Sequence, residues 1–238
     1  MKKLNFIIKY GLALLLLSFY SCESWLNVTP SDRLSEEMLF NDREGFVKAL
    51  NGVYIELNTN ELYGRNLTAG ALDVMGQYYS VASSSHAFYN YGGLVYTGND
   101  EKALFDNMWQ KCYAEIACCN TIIEKCDENK AGLSPVWKGS IKGEALALRA
   151  MLHFDMLRLF GPLTSELDKE SIPYQTNSDQ TVSPLLSGSE VIGLILDDLK
   201  NAVGLLKDTD PYFVEEEFSD TDLNYRRFRM NYFAAKGL

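Results

Sequence analysis

The sequence predicts an all-α fold built from antiparallel helix pairs with long irregular loops. Apolar residues recur every three or four positions in several segments of helix length, which is typical of helices with one buried face. Strong alternation of apolar and polar residues over the length of a strand is almost lacking. Stretches rich in Ser, Gly, Asn and Pro separate the periodic segments, as expected for loops between packed helices.

Residues 1–21 have the pattern of a secretory signal peptide. Lys2, Lys3 and Lys9 come before the apolar run LALLLL at 12–17, which is too short to span a bilayer. The signal ends directly at Cys22 and resembles a bacterial lipoprotein signal, so we expect lipid attachment at Cys22. An ordinary secreted protein is the alternative. The polar stretch 22–34 is predicted to be a tether.

The helical region is expected to cover residues 35–238, and its first helix is predicted over 42–58. Asn41 and Glu44 resemble a capping box at the start of that helix. A shorter apolar stretch over 68–79 can form a second helix before a long irregular loop. The most periodic segment of the chain predicts a helix over 100–127.

The second half of the chain predicts two more long helices. One covers 136–160 and is stopped by Gly161 and Pro162. Residues 161–189 contain three prolines with many Ser and Thr and should be extended and irregular. Ser189 can cap a helix over 190–206. After an acidic loop, a last helical segment stops without a cap, which suggests a truncated chain or the front part of a longer fold.

Composition excludes several classes of function. The formal net charge is −10, and loss of residues 1–21 with their three lysines brings it to −13, so nucleic acid is an unexpected partner. Cys112, Cys119 and Cys126 lie seven apart on one helix, too far for a disulfide between neighbours of that stripe. Together with Cys118 they are interpreted as small buried thiols. Neither a metal nor a cofactor is expected, because the chain has two histidines and no converging ligand set.

The segment GEALALRAMLHFDMLRLFGP, residues 143–162, concentrates ionisable side chains in an apolar helix. On a helical wheel Glu144, Asp155 and Arg158 share one face, whereas Arg149 and His153 lie on the opposite face. The five residues therefore do not converge on one catalytic site. We interpret them as structural: Asp155 pairs with Arg158, Glu144 and Arg149 reach neighbouring helices, and His153 is a hydrogen-bonded core histidine.

This segment also carries a family resemblance. It closely resembles the signature helix of the SusD/RagB family of outer-membrane nutrient-binding lipoproteins of Bacteroidetes, in the run Gly143, Glu144, Ala145, Leu148, Arg149, Ala150, His153, Phe154 and Arg158 to Gly161. Residues 21–54 look like the family's amino-terminal stretch. Its next helix is matched by Trp109, Tyr113, Ile116 and Asn120, and its tetratricopeptide-like helices by DDLKNAV and MNYFAAKGL.

The resemblance implies a surface-exposed lipoprotein of the outer membrane, anchored through lipid on Cys22. Such a protein binds an oligosaccharide, or in some members a peptide, and delivers it to a SusC-like TonB-dependent transporter. Known members are substantially longer than this chain, so part of the binding surface or of the transporter contact can be missing here.

Aromatic residues are concentrated between positions 78 and 96, where six occur in nineteen positions against about two expected from the overall 12%. A sugar ring needs flat aromatic platforms with hydrogen-bonding side chains beside them. The candidate ligand-binding residues are Tyr78, Tyr79, His86, Tyr89, Asn90, Tyr91 and Tyr96. The corresponding loop often contributes to ligand binding in the family that the chain resembles. The alternative is that these tyrosines pack the loop onto the helices and seal the transporter contact.

Three hypotheses of function stay open at this level. The first is the glycan-binding lipoprotein, and the second is a helical-repeat scaffold that binds protein partners only. The third is a surface glycosidase. We expect no enzyme, because GxSxG, HExxH, Walker and GxGxxG patterns are lacking and some carboxylate pair looks plausible in any chain with 32 acids.

Overall fold

The computed structural model describes residues 36–179, 181 and 183–238. The predicted signal peptide, Cys22 and the predicted tether lie outside the described residues. The chain divides into two units between residues 38 and 39, and the structure describes residues 36–38 of the first, which lie in a short helix. The second unit, residues 39–238, is compact. The helices are, in chain order, α1 (Glu36–Leu39), α2 (Arg43–Leu57), α3 (Ala71–Met75), α4 (Tyr89–Gly92), α5 (Asn99–Glu128), α6 (Pro135–Phe160), α7 (Gly188–Thr209), α8 (Asp220–Arg226) and α9 (Tyr232–Gly237).

The second unit is organised around α6, the helix that carries the ionisable motif. Nearly every side chain of α6 between 139 and 157 is buried, because α2, α5 and α7 surround it. Such a helix is apolar on most of its circumference, as buried helices are. Two short strands, β1 (Glu170–Pro173) and β2 (Leu185–Ser187), pair antiparallel with Glu170 opposite Ser187 and Pro173 opposite Leu185. Short 3₁₀ turns occupy 164–166 and 215–217.

The described structure confirms the all-α class, and the long helices agree closely with the predicted ranges. The helices predicted over 100–127 and 136–160 are Asn99–Glu128 and Pro135–Phe160. Ser134 caps the latter by accepting a hydrogen bond from the backbone N–H of Trp137, with Pro135 in the first turn, where its missing N–H costs nothing.

Several predicted boundaries were wrong. The helix predicted over 190–206 is three residues longer at its end and begins earlier, because Ser187 rather than Ser189 forms a capping box with Glu190. Asp42, not Asn41, caps α2 by accepting from the N–H of Gly45. The predicted helix over 68–79 shrinks to α3, whose last turn is followed by Gln77 in the left-handed region at φ 61°.

The four cysteines of α5 are free thiols. Cys112, Cys119 and Cys126 are buried in the seam of α5, where burial raises the pKa of Cys112 and Cys126 to about 12. Cys118 is exposed, which corrects its inclusion among the buried thiols, since it faces away from the seven-residue stripe. Within the described ranges no helix is long and apolar enough to cross a membrane, and no group of three or more potential metal ligands converges.

Candidate functional site

The aromatic segment 78–96 lies on the surface, between α3 and α5. Tyr78, Tyr79 and Tyr89 have 80%, 54% and 43% of their surface exposed. A flat ligand from solution can therefore contact these three rings without any rearrangement of the protein. The serine-rich stretch 83–85 and His86 are exposed beside them.

The other predicted platform residues are held inside the segment. Tyr91 lies on α4 and is only 2% exposed, and its ring contacts those of Phe88 and Phe105 with centroids 5.8 and 6.0 Å away. Burial raises the pKa of the Tyr91 hydroxyl to about 12. Tyr96 is half-buried, and its ring stands edge-on to Phe105 at 5.5 Å. Tyr91 thus fixes the segment onto the helices, and its ring is closed to a ligand in this structure.

Polar contacts hold the segment in one conformation. Asn90 Nδ2 donates to Oε1 of the buried Glu101 on α5 at 2.7 Å. Gln77 Nε2 donates to the carbonyl oxygen of Gly92 at 3.0 Å, which joins the two ends of the stretch. His86 Nδ1 accepts from the backbone N–H of Phe88 at 3.1 Å. The exposed tyrosines are therefore presented on an ordered surface rather than on an open chain.

An aromatic strip continues from Tyr96 along the helices. Its rings are half-buried, and successive centroids are 4.7 to 6.3 Å apart, in the order Tyr96, Phe105, Phe160, Trp109 and Tyr113. The contacts of Phe105 and Trp109 with Phe160 could not be predicted from the periodicity of either helix. Only the folded pairing of α5 with α6 brings the end of one helix beside the start of the other.

Arg149 and His153, on the same face of α6 as Phe160, belong to a buried polar network, and the His153 ring contacts that of Tyr113 with centroids 6.0 Å apart. Arg149 donates two hydrogen bonds to the Asp198 carboxylate of α7, through Nε and Nη2. Its Nη1 donates to Asn120 Oδ1 on α5 at 2.8 Å. Tyr174 also donates to Asp198, at 2.6 Å. His153 is fully buried, with Nδ1 2.9 Å from the carbonyl oxygen of Arg149 and Nε2 accepting from the backbone N–H of Gln175. Burial lowers the pKa of His153 to about 3, so the ring is neutral.

A second network surrounds Glu144. The carboxylate pairs with Arg226 on α8 and with Arg229 Nε at 2.7 Å, and it accepts from the Tyr54 hydroxyl at 2.6 Å. Burial opposes its charge, but the two arginines outweigh that effect and lower the pKa of Glu144. Arg226 also binds Asp210, at 2.7 Å. The arginines were missed from the sequence because they lie more than 80 positions from Glu144.

Asp155 and Arg158 form an ion pair within one turn of α6, and Asp155 also accepts from the Tyr63 hydroxyl at 2.5 Å. All five ionisable residues of the motif are thus engaged with other protein groups. Their arrangement fixes helices to one another. The exposed tyrosines, by contrast, can stack on the apolar face of a planar or ring-shaped ligand.

Comparison with known proteins agrees with this architecture. Residues 24–219 match the model of a family described as "SusD-like_3: Starch-binding associating with outer membrane". A SusD-like protein P38 from Formosa agariphila is 27% identical over 199 residues, covering 76% of this chain and 34% of that protein.

Two solved structures show a similar fold. A SusD superfamily protein from Bacteroides thetaiotaomicron aligns with a TM-score of 0.58 at 20% identity, over 82% of this chain and 40% of that one. A SusD-like carbohydrate binding protein from Bacteroides vulgatus aligns with a TM-score of 0.57 at 25% identity, over 69% of this chain and 36% of that one.

The chain spans about a third of the length of the curated relatives it matches. The family is one of binding proteins and not of enzymes, which confirms the prediction made from the sequence motifs. Since the family model covers most of the sequence, this chain belongs to the SusD-like family of proteins that is described as starch-binding and associating with the outer membrane.

Proposed function

We propose that this chain captures oligosaccharides at the outer membrane through its aromatic segment. The observation that carries the proposal is the exposure of Tyr78, Tyr79 and Tyr89 on an ordered surface beside Ser83–Ser85 and His86. A pyranose ring offers a face of C–H groups and an edge of hydroxyls, which suits such a mixture of flat rings and hydrogen-bonding side chains. The family description points to the same class of ligand.

The most direct test is calorimetry with the exposed rings removed. The chain is produced with its own signal, purified from membranes in detergent and titrated with a panel of starch, plant and host oligosaccharides. Saturable heat is expected, and a variant with Ala at Tyr78, Tyr79 and Tyr89 should bind at least tenfold more weakly, since each lost stacking contact contributes about 1 kcal/mol.

A matched control distinguishes a platform from a general effect of losing tyrosines. Tyr212 has an exposed fraction of 45%, close to the 43% of Tyr89, and lies outside the segment. Tyr212→Ala should leave the affinity unchanged. If Tyr212→Ala and Tyr89→Ala weaken binding equally, or if the triple variant binds as well as the parent, the segment is not the platform.

The remaining parts of the proposal concern location and partner. Lipid on Cys22 would hold the protein at the outer membrane, exposed at the cell surface, where it would pass its ligand to a SusC-like TonB-dependent transporter. Labelling of cells with a radioactive or alkyne fatty acid should mark the parent and not Cys22→Ala. Affinity purification from cells that produce both proteins should recover the transporter with the parent, and its failure to do so would argue against this partner.

A protein-binding scaffold is the second candidate, and a surface cluster supports it. The cluster is formed by Tyr212, Phe213, Tyr232 and Phe233, and three of these rings are exposed. Contacting ring centroids are 5.3 to 5.8 Å apart; three contacts are edge to face and the fourth, between Phe213 and Phe233, is tilted. Such apolar clusters are common at protein interfaces. Under this hypothesis Phe213→Ser would release a protein partner, whereas the triple tyrosine variant would not.

A further inference from the structure

Two polar side chains flank one aromatic ring of the segment 78–96. The guanidinium carbon of Arg65 lies 5.8 Å from the centre of the Phe88 ring, and the centre of the His86 ring lies 5.8 Å from the same point. Arg65 and His86 are exposed, and Phe88 is half-buried. The two polar groups are therefore at most twice that distance apart, which a short oligosaccharide can span. Arg65 precedes α3, so only the folded chain brings it to the segment.

The guanidinium group of Arg65 keeps hydrogen-bond donors that the described chain does not use. Its Nε donates to Asn66 Oδ1 at 3.1 Å, whereas Nη1 and Nη2 have no acceptor among the described residues. Four other arginines, by contrast, are paired with carboxylates: Arg149, Arg158, Arg226 and Arg229. A planar guanidinium with two free nitrogens matches the paired oxygens of a carboxylate or a sulfate group. Arg65 can therefore bind an anionic group from solution.

His86 adds a second donor, and its contact within the loop fixes the tautomer. Nδ1 accepts from the backbone N–H of Phe88 at 3.1 Å, so Nδ1 of the neutral ring carries no proton. The proton is then on Nε2, for which the described chain offers no acceptor. Because the ring is exposed, Nε2–H can donate to a ligand that lies beside Phe88.

The segment carries no acidic side chain, although the chain is rich in them. The sequence contains 32 acidic residues, yet no Asp or Glu occurs between Asp73 and Asp100. Glu101, which contacts Asn90 of the segment, is buried and hydrogen-bonded. Surface charge effects fall off over about 8 Å at physiological ionic strength, so the residues near a ligand matter more than the net charge of the protein. An anionic ligand can therefore approach Arg65 without meeting a carboxylate of the segment itself.

We propose that the aromatic segment binds an acidic oligosaccharide, one that carries carboxylate or sulfate groups. Arg65 and His86 bind the anionic group, while the exposed tyrosines stack on the sugar rings. The proposal rests on the function proposed above and adds the chemical class of the ligand. Starch is neutral and has no group that would use the charge of Arg65, so the ligand of this chain differs in charge from the one that the family description names.

Calorimetry with matched pairs of oligosaccharides tests the proposal, using the full chain purified from membranes in detergent. The first pair is tetragalacturonate and its carboxyl-reduced counterpart, and the second is a sulfated carrageenan tetrasaccharide and its desulfated counterpart. The members of a pair share backbone and linkage, and the two pairs distinguish a carboxylate from a sulfate. The charged member of at least one pair should bind about tenfold more tightly than the neutral member, as expected for a hydrogen bond to a charged group.

Variants assign this preference to the two side chains. Arg65→Gln should remove most of the difference within a pair, whereas Arg65→Lys should keep part of it, because lysine keeps the charge without the planar fork. His86→Asn can still accept from the N–H of Phe88, as in an Asx turn, but has no donor at the position of Nε2, so the difference should narrow. Arg43→Gln is the control, since Arg43 is also exposed, lies over the Trp137 ring and is outside the segment. This variant loses the same charge and should keep the full difference.

Equal binding of the charged and the neutral member in both pairs would overturn the proposal, and so would a preference that Arg43→Gln reduces as much as Arg65→Gln does. The pairs are compared in the parent protein, so the test stays decisive if a variant does not fold. Binding of neutral starch oligosaccharides without binding of either charged probe would overturn this proposal and leave the proposed function in place. Failure of every oligosaccharide to bind would overturn both.

Discussion

Gly143 on α6 lies so close to Leu206 on α7 that a β-carbon at position 143 would be 2.8 Å from Leu206 Cγ. The same β-carbon would be 3.2 Å from the carbonyl oxygen of Ala202. At this point the backbone of α6 therefore packs directly against a side chain of α7. A glycine usually weakens a helix interior, and here the close contact with α7 compensates for that cost.

Gly143→Ala should lower the free energy of unfolding by about 1–3 kcal/mol, because the packed Leu206 must move. Gly204 is the control, since it also lies inside a helix and its β-carbon would meet nothing within 4 Å. Gly204→Ala should stabilise by roughly 0.5–1 kcal/mol through helix propensity. Urea unfolding of both variants measures the difference. Equal stabilisation by the two alanines would show that α6 and α7 are packed less tightly than described.

Arg149→Met should destabilise the fold by about 3–5 kcal/mol, because it leaves the Asp198 carboxylate buried without its partner. In the parent, Arg149 Nε and Nη2 each donate to Asp198 at 2.7 Å. Replacing both residues, as Arg149→Met with Asp198→Leu, removes the buried charge and should recover much of the loss. A double variant as unstable as the single one would mean that the cost arises from packing and not from the unpaired charge.

His153 predicts a loss of stability in acid. Burial lowers its pKa from 6.5 to about 3, so the unfolded chain binds a proton below pH 6.5 that the folded chain does not. The contribution of neutral His153 to the free energy of unfolding is therefore complete above pH 6.5. It decreases as the pH falls towards 3, by at most about 1.4 kcal/mol per pH unit. His153→Gln lacks this titration. Unfolding curves between pH 7 and 4 should converge for parent and variant as the pH falls, and parallel curves would contradict the assignment.

Glu115 predicts the opposite trend near neutral pH. Burial, aided by the charge of Glu56, raises the pKa of Glu115 from 4.5 to about 7. Between pH 4.5 and 7 the folded chain therefore keeps a proton on Glu115 that the unfolded chain has lost. The contribution of protonated Glu115 to the free energy of unfolding is complete below pH 4.5 and disappears as the pH rises through 7. Glu115→Gln mimics the protonated form. Thermal melts should place the variant above the parent at pH 8, with the gap closing at pH 5.

The extent of the long helices could be predicted from the sequence because their apolar period and their end signals agree. Pro135 and Gly161 bracket α6, and the stripe through Cys112, Cys119 and Cys126 marks the buried face of α5. The strands β1 and β2 could not be predicted, since four and three residues are too few to show an alternating pattern.

The candidate surface was predicted as a segment but not residue by residue. Aromatic content marks 78–96, yet it does not separate the exposed Tyr89 from Tyr91 two positions later, which α4 turns into the core. That orientation depends on Phe105 of α5. The ion pairs of Glu144 and Arg149 likewise depend on partners that chain topology brings together, and no local pattern identifies such partners.

The aromatic strip contains one tryptophan, and a second lines the apolar groove between α2, α6 and residues 211–229. Their fluorescence therefore depends on different surroundings. Trp109 lies between Tyr113 and Phe160 on the strip, whereas Trp137 lines the groove with Phe218 against one side and the Arg43 guanidinium over its ring. A guanidinium over an indole changes its emission, while a half-buried indole in a cluster of rings responds to displaced water. Fluorescence from variants with Phe at Trp25 and at either Trp109 or Trp137, which retain a single indole, would therefore report on each of these two sites separately.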